Sequence, residues 1–242
     1  MVPIRDDNPT RSTPVVVYAL IALNIAIFFY EISLTGAIQQ LFINTWALIP
    51  AELTCSLPGN FANGLRCPAP ADGMLPEREW VTLISSQFLH GGLAHLGGNM
   101  LFLWIFGNNI EDKLGPVKFL IFYLACGALA GLCQWIFEPD SLIPTIGASG
   151  AIAGVMGAYI IRFPRARIMT FIGFFLIPVP AYLFLGWWFI QQSFYSYTSI
   201  GATVDAGTGG VAYWAHAGGF VFGVLLGPLL GLFADRYGGE WK

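Results

Sequence analysis

Apolar residues gather along this chain into long runs, broken by short polar stretches rich in Gly and Pro. A helix that crosses a bilayer needs about 20 mostly apolar residues. Six runs approach or reach that length: Pro14–Leu34, Leu93–Ile110, Val117–Phe137, Ala148–Ile161, Ile168–Ile190 and Val211–Phe233. They predict an all-α polytopic membrane protein, a six-transmembrane-helix bundle over residues 14–234. Residues 1–13 form an N-terminal segment and 235–242 a tail. The fourth run is short, so its upper end is expected below the membrane surface or inside protein. The fifth holds Pro178 and Pro180, which predict a helix kink. The first run is too long for a signal-peptide core of roughly 7–15 residues, and no A-x-A site follows it. It is expected to be retained. The connection from about 35 to 87 is the sizeable extramembrane segment. Its Pro, Gly, Trp46 and Trp80 predict irregular structure with short helices at the interface.

Composition agrees with this pattern. Of 242 residues, 10% are charged and 56% hydrophobic, and mean hydropathy is +0.66. An ordinary soluble domain carries roughly 25% charged residues, so a soluble globule and a disordered chain are both excluded. A net charge of −3 with scattered cations argues against a nucleic-acid partner. The cations carry orientation instead. Arg5, Arg11, Lys113, Lys118, Arg162, Arg165, Arg167, Arg236 and Lys242 fall in alternate connections, nine against the two (Arg66 and Arg78) of the first loop. The positive-inside rule then places both termini in the cytoplasm. Cys55 and Cys67 fall on the outer, oxidising face and are a candidate disulfide. Cys126 and Cys133 share a helix face and read as packing residues. No internal repeat supports a transporter.

Polar groups inside the runs carry the chemistry. His95 and Asn99 are four apart on one face of the second run. Ser149 lies at the outer end of the fourth, and His216 near the outer end of the sixth. All three runs point from outside to inside, so these groups share a depth. The sixth run has Gly219, Gly223, Gly227 and Gly231 at every fourth position, a small-residue ridge suited to close helix approach. The fourth offers Gly150, Gly154 and Gly157. Contact between these faces would bring Ser149 within reach of His216. A serine hydroxyl needs a base, and imidazole is the usual one. His95, Asn99 and the Ser149 N–H are candidate oxyanion donors. No Asp or Glu lies in runs two to six, so the reading is a Ser–His dyad. His90 reads as a residue at the interface or as support for the Gly91–Gly92 turn. There is no His-Glu-x-x-His zinc motif, no intramembrane aspartate pair, no phosphate loop, and Ala151 breaks a G-x-S-x-G elbow. No metal or cofactor is expected.

From about Trp80 to the end of the sixth run the sequence resembles the rhomboid family of intramembrane serine proteases. The resemblance rests on Phe88-Leu89-His90-Gly91-Gly92, His95-x-x-x-Asn99-Met100, Gly107, Glu111-Asp112-Lys113-Leu114-Gly115, Gly147-Ala148-Ser149-Gly150 and Ala215-His216-x-Gly218-Gly219. It implies a rhomboid-like six-helix bundle. It also implies cleavage of transmembrane protein substrates near the outer face. Ser149 is then the nucleophile, His216 its base, and His95 and Asn99 the oxyanion site. Two positions depart from the family's pattern. Trp80 is followed by Val81 where many members have Arg, with Arg78 two residues before. Ala153 stands where some members stack a Tyr on the base, so orienting His216 falls to another group. The first loop and Gly201–Gly210 are candidate gates. A non-catalytic binder of client helices and a transporter are the competing readings. The expected location is a prokaryotic plasma membrane. The sequence sets neither oligomeric state nor substrate.

Overall fold

The computed structural model describes residues 1–57, 76–199 and 212–236. Cys67, Arg66 and the Gly201–Gly210 segment lie outside the described residues. A strand β1 (Val2–Asp6) precedes helix α1 (Val15–Ser33). Two short helices follow in the first loop, α2 (Ala37–Trp46) and α3 (Pro50–Cys55), then helical turns over Pro76–Phe88. Helix α4 runs as Leu93–Phe102, passes through a π turn at Leu103–Gly107 and continues as Asn108–Leu114. Helix α5 (Pro116–Phe137) and helix α6 (Ser149–Arg162) come next. A hairpin of β2 (Arg167–Ile172) and β3 (Phe175–Pro180) leads into α7 (Ala181–Ser199), and α8 (Tyr213–Leu229) follows.

The fifth run is where the expected bundle needs correction. Its first half is not helix. Residues Arg167–Ile172 and Phe175–Pro180 pair antiparallel about Gly173, whose φ of +60° a side chain would resist. Pro178 and Pro180 do not kink a helix. They sit in β3, an edge strand, where a missing N–H costs no ladder bond. Helix begins just after Pro180. Hydropathy averaged over 168–190 cannot separate an apolar hairpin from half a span. The hairpin's tip, Phe174 and Phe175, is exposed. Nor is the protein all-α, because β1 pairs with β2 to make a three-stranded sheet in the order β1-β2-β3. The 1–13 segment is thus docked. Asn109 Nδ2 donates to Asn8 O at 2.8 Å, and Tyr159 Oη donates to Asp6 Oδ2 at 2.5 Å.

Two described helices, α1 and α5, are long and apolar enough to cross a membrane by length and composition; α6 and α8 are shorter apolar helices. At 14 residues α6 is about 21 Å long, short of a hydrocarbon core of about 30 Å. It compensates by enclosure, since Gly150–Tyr159 are all buried. Glycines make that enclosure possible. A Cβ on Gly219 would run into the Gly150 carbonyl, one on Gly223 into the Gly154 carbonyl, and one on Gly157 into the Phe220 carbonyl. A Cβ on Gly150 would lie 2.7 Å from the Ala130 Cβ, and one on Gly154 2.5 Å from the Cys126 Cβ. α6 is therefore gripped by α8 on one side and α5 on the other. Cys126 and Cys133 are free thiols, and Cys133 packs where Gly218 lacks a side chain.

Two acidic side chains tie α1 to α4. Glu111 accepts the N–H groups of Val16 and Val17 at 3.0 and 2.8 Å. These are orphan donors at the first turn of α1, where a carboxylate also suits the helix dipole. Asp112 Oδ1 accepts the N–H groups of Arg11 and Ser12 and the Ser12 hydroxyl. Arg236 donates to the Glu111 and Asp112 carbonyls at 3.4 and 3.1 Å, capping the end of α4. Gly115, at φ +81°, stops α4, and Pro116 starts α5. The first loop docks on the C-terminal half of α5. Leu48, Leu53 and Leu83 pack on Ala128, Leu132 and Trp135. Trp135 Nε1 donates to Thr54 Oγ1, whose hydroxyl donates to Pro139 O. Cys55 is disulfide-bonded.

Candidate active site

Ser149 is the first residue of α6. Gly147 makes the turn before it at φ +116°, and its N–H donates to Ser86 O at 2.9 Å. His216 is in the first turn of α8, whose start is held by Gln134 of α5 accepting the Ala215 N–H at 3.3 Å. Because the α6 and α8 backbones touch through their glycines, these two helix starts meet. His216 Nε2 lies 2.7 Å from Ser149 Oγ.

His95 and Asn99 share one face of α4 and converge beside the same turn. A Cβ added to Gly147 would lie 2.7 Å from His95 Nε2 and 3.4 Å from Asn99 Nδ2. Only glycine leaves room there. Asn99 Nδ2 is buried with no hydrogen-bond partner. A buried orphan donor is costly, and here it lies beside Gly147, two residues before the serine, with its hydrogens free. All four residues read from the sequence thus gather in one place. His90 is fully buried beneath them, its ring 5.1 Å from that of His95. Its backbone N–H donates to Glu31 Oε2 at 3.3 Å, so it supports the turn from below.

Sequence reasoning missed two residues. Gln192 of α7 places Oε1 2.8 Å from His216 Nδ1. Trp188, one turn earlier, lies 5.8 Å from the imidazole, ring to ring, at 36°. Ala153 is fully buried and offers the imidazole no ring. The Gln191–Gln192 pair directly after the apolar run that ends at Ile190 is the available signal. The run begins in a hairpin, so the helix starts only at Ala181 and carries on past Ile190 to include the pair.

A hydroxyl held against an imidazole, beside a free amide donor and a helix N-terminus, is the donor–acceptor set of a serine nucleophile with its base. Helical packing encloses it. The chain belongs to the rhomboid family: the Rhomboid domain model matches residues 77–233. That family is membrane-embedded.

Relatives of the chain include Rhomboid protein 1, mitochondrial, of Saccharomyces cerevisiae, 34% identical over 64% of this chain and 44% of that protein. Rhomboid protease GluP of Bacillus subtilis is 32% identical over 69% of this chain and 30% of its own length. Presenilin-associated rhomboid-like protein A, mitochondrial, of Danio rerio is 30% identical over 59% of this chain and 35% of that protein. The chain thus spans less than half the length of these relatives. Their mitochondrial and bacterial origins give no support to a prokaryotic plasma membrane in particular.

Proposed function

We propose that this protein is an intramembrane serine endopeptidase that cleaves transmembrane protein substrates near the outer membrane face. The observation carrying this reading is the 2.7 Å approach of Ser149 Oγ to His216 Nε2. Membership of a family that includes a relative named as a protease supports it.

In this reading Ser149 attacks the scissile carbonyl while His216 takes the hydroxyl proton. His216 then returns that proton to the leaving amine. The oxyanion is met by the Asn99 amide, the His95 ring and the Ser149 N–H, with the α6 dipole favouring negative charge there. Water hydrolyses the acyl-enzyme, and the half-buried Ser149 leaves it a path from the outer side. A substrate helix unwinds before it is cut, because its peptide bonds are shielded, and residues of poor helix propensity near the cut ease this. Six spans over 14–234 with both termini cytoplasmic remain the proposed topology, with the fifth span now at α7. It is supported by the charge asymmetry and by Arg11, Arg162 and Asp235, each of which lies within electrostatic reach of Lys113.

The test is cleavage of a model transmembrane substrate by the reconstituted wild type and by Ser149→Ala. Cleavage by the wild type alone is expected, with fluorophosphonate labelling that maps to Ser149. Equal cleavage by both sinks the assignment. Client capture by both without any cleavage would favour a non-catalytic binder.

A further inference from the structure

We propose that Gln192 is the positioning residue of this site: its carbonyl oxygen fixes which ring nitrogen of His216 carries the proton and so makes His216 a base toward Ser149. The proposal rests on the serine-protease reading above and adds a third residue to it.

Imidazole has two nitrogens, and the neutral ring protonates one of them. To take a proton from Ser149, Nε2 must present a lone pair, so the hydrogen must sit on Nδ1. In a soluble serine hydrolase a buried carboxylate commonly enforces this. No Asp or Glu lies in α4 to α8 except Glu111 and Asp112. Both of those hold backbone N–H groups at the start of α1. Gln192 Oε1, 2.8 Å from Nδ1, is an acceptor in the position such a carboxylate would take. A neutral amide supplies the same orientation without adding a charge to a low-dielectric interior, where an unpaired carboxylate would be costly.

The surroundings hold Gln192 for this purpose. Its neighbour Gln191 is exposed, while Gln192 is 9% exposed. Ser196, one turn on, is buried and donates to the Gln192 main-chain carbonyl at 2.9 Å, which leaves the side-chain oxygen to His216. Aromatic rings fasten α7 to α8 on either side of the bond. Phe189 stacks on Phe220 at 4.6 Å, and Tyr195 lies 5.1 Å from Tyr213. These partners on α8 lie one turn either side of His216, so the register that seats the rings also delivers Gln192 to Nδ1. Trp188 packs beside the imidazole, its ring centroid 5.8 Å away and tilted by 36°.

The experiment compares purified wild type, Gln192→Met and Gln192→Glu on the same transmembrane substrate, with thermal melts of each. Met matches the length of Gln but accepts no strong hydrogen bond. It is expected to lower kcat by about 10- to 100-fold while KM changes by less than about twofold. Fluorophosphonate labelling of Ser149 should slow in parallel. Glu accepts and cannot donate, so it is expected to keep kcat within about fivefold of wild type. A Met variant with wild-type kcat overturns the proposal. So does a Glu variant that melts like wild type yet is as slow as Met, because an acceptor at Nδ1 would then not be what matters. If the wild type itself cleaves nothing, the serine-protease reading fails instead, which separates the two outcomes.

Discussion

One amide at this site has hydrogens with nowhere to go. Asn99 Nδ2 is buried without a partner beside Gly147, and leaving a donor in that state costs stability. The expected return is in the transition state, where it meets the oxyanion. Asn99→Ala should therefore lower kcat by about 100-fold or more while leaving the melting temperature unchanged or raised. A fall in stability with unchanged turnover would refute this. The same scale shows what was readable from residue types. Ser149, His216, His95 and Asn99 were legible because each is a polar residue where lipid-length helices have no ordinary use for one. Gln192 has the same character. It escapes because it falls just beyond the apolar run that ends at Ile190, where a glutamine pair reads as part of a connection.

Elements explain why the dyad forms. α6 and α8 touch backbone to backbone, and the touch points are glycines. Gly223→Ala should clash with the Gly154 carbonyl, spread the two helices and cost about 1–3 kcal/mol. Activity should fall with it, because the spreading separates Ser149 from His216. Gly97→Ala is the control: it lies in α4 with nothing within 4 Å, so thermal melts should show it neutral or stabilising. This ridge was visible as four-residue spacing in the sequence. The β2–β3 hairpin was not, because its strands are as apolar as a span and only the pairing about Gly173 reveals them. Pro178 and Pro180 pointed to irregularity at the right place and to the wrong kind of it. For the short fourth run, of the two expectations, a position below the membrane surface or burial in protein, it is burial that the ten enclosed residues of α6 display.

At the scale of the whole molecule, the charged end is bound by contacts between distant segments. Burial raises the Asp6 carboxyl from 3.8 to about 6, partly opposed by the hydrogen bond from Tyr159. A folded-state pKa above the unfolded one means the folded protein binds the proton more tightly. Asp6 therefore costs the protein stability as pH rises from about 4 to about 6, and the cost is full above that window. Asp6→Asn keeps an acceptor for Tyr159 and loses the titration. The gap between its melting temperature and that of wild type should widen in its favour across that interval, then level off. A constant gap from pH 4 to 7 would show that Asp6 is not the group responsible. Glu111→Ala should cost about 1–2 kcal/mol in a thermal melt by freeing two N–H groups of α1. Neither tie could be read from the sequence, since Asp6 and Tyr159 are 153 positions apart.

The pairing of β1 with β2 also sets a schedule. Val2 faces Phe171 across the sheet. A ribosome adding about 5–20 residues per second needs roughly 10–30 seconds to travel between them. For that interval β1 has emerged and its partner strand does not yet exist. By the time β2 appears, α1, α4, α5 and α6 have all been made. β1 is thus made well before its partner strand and is among the last of these elements to find its place. It closes over the C-terminal end of α6 only after that helix is present.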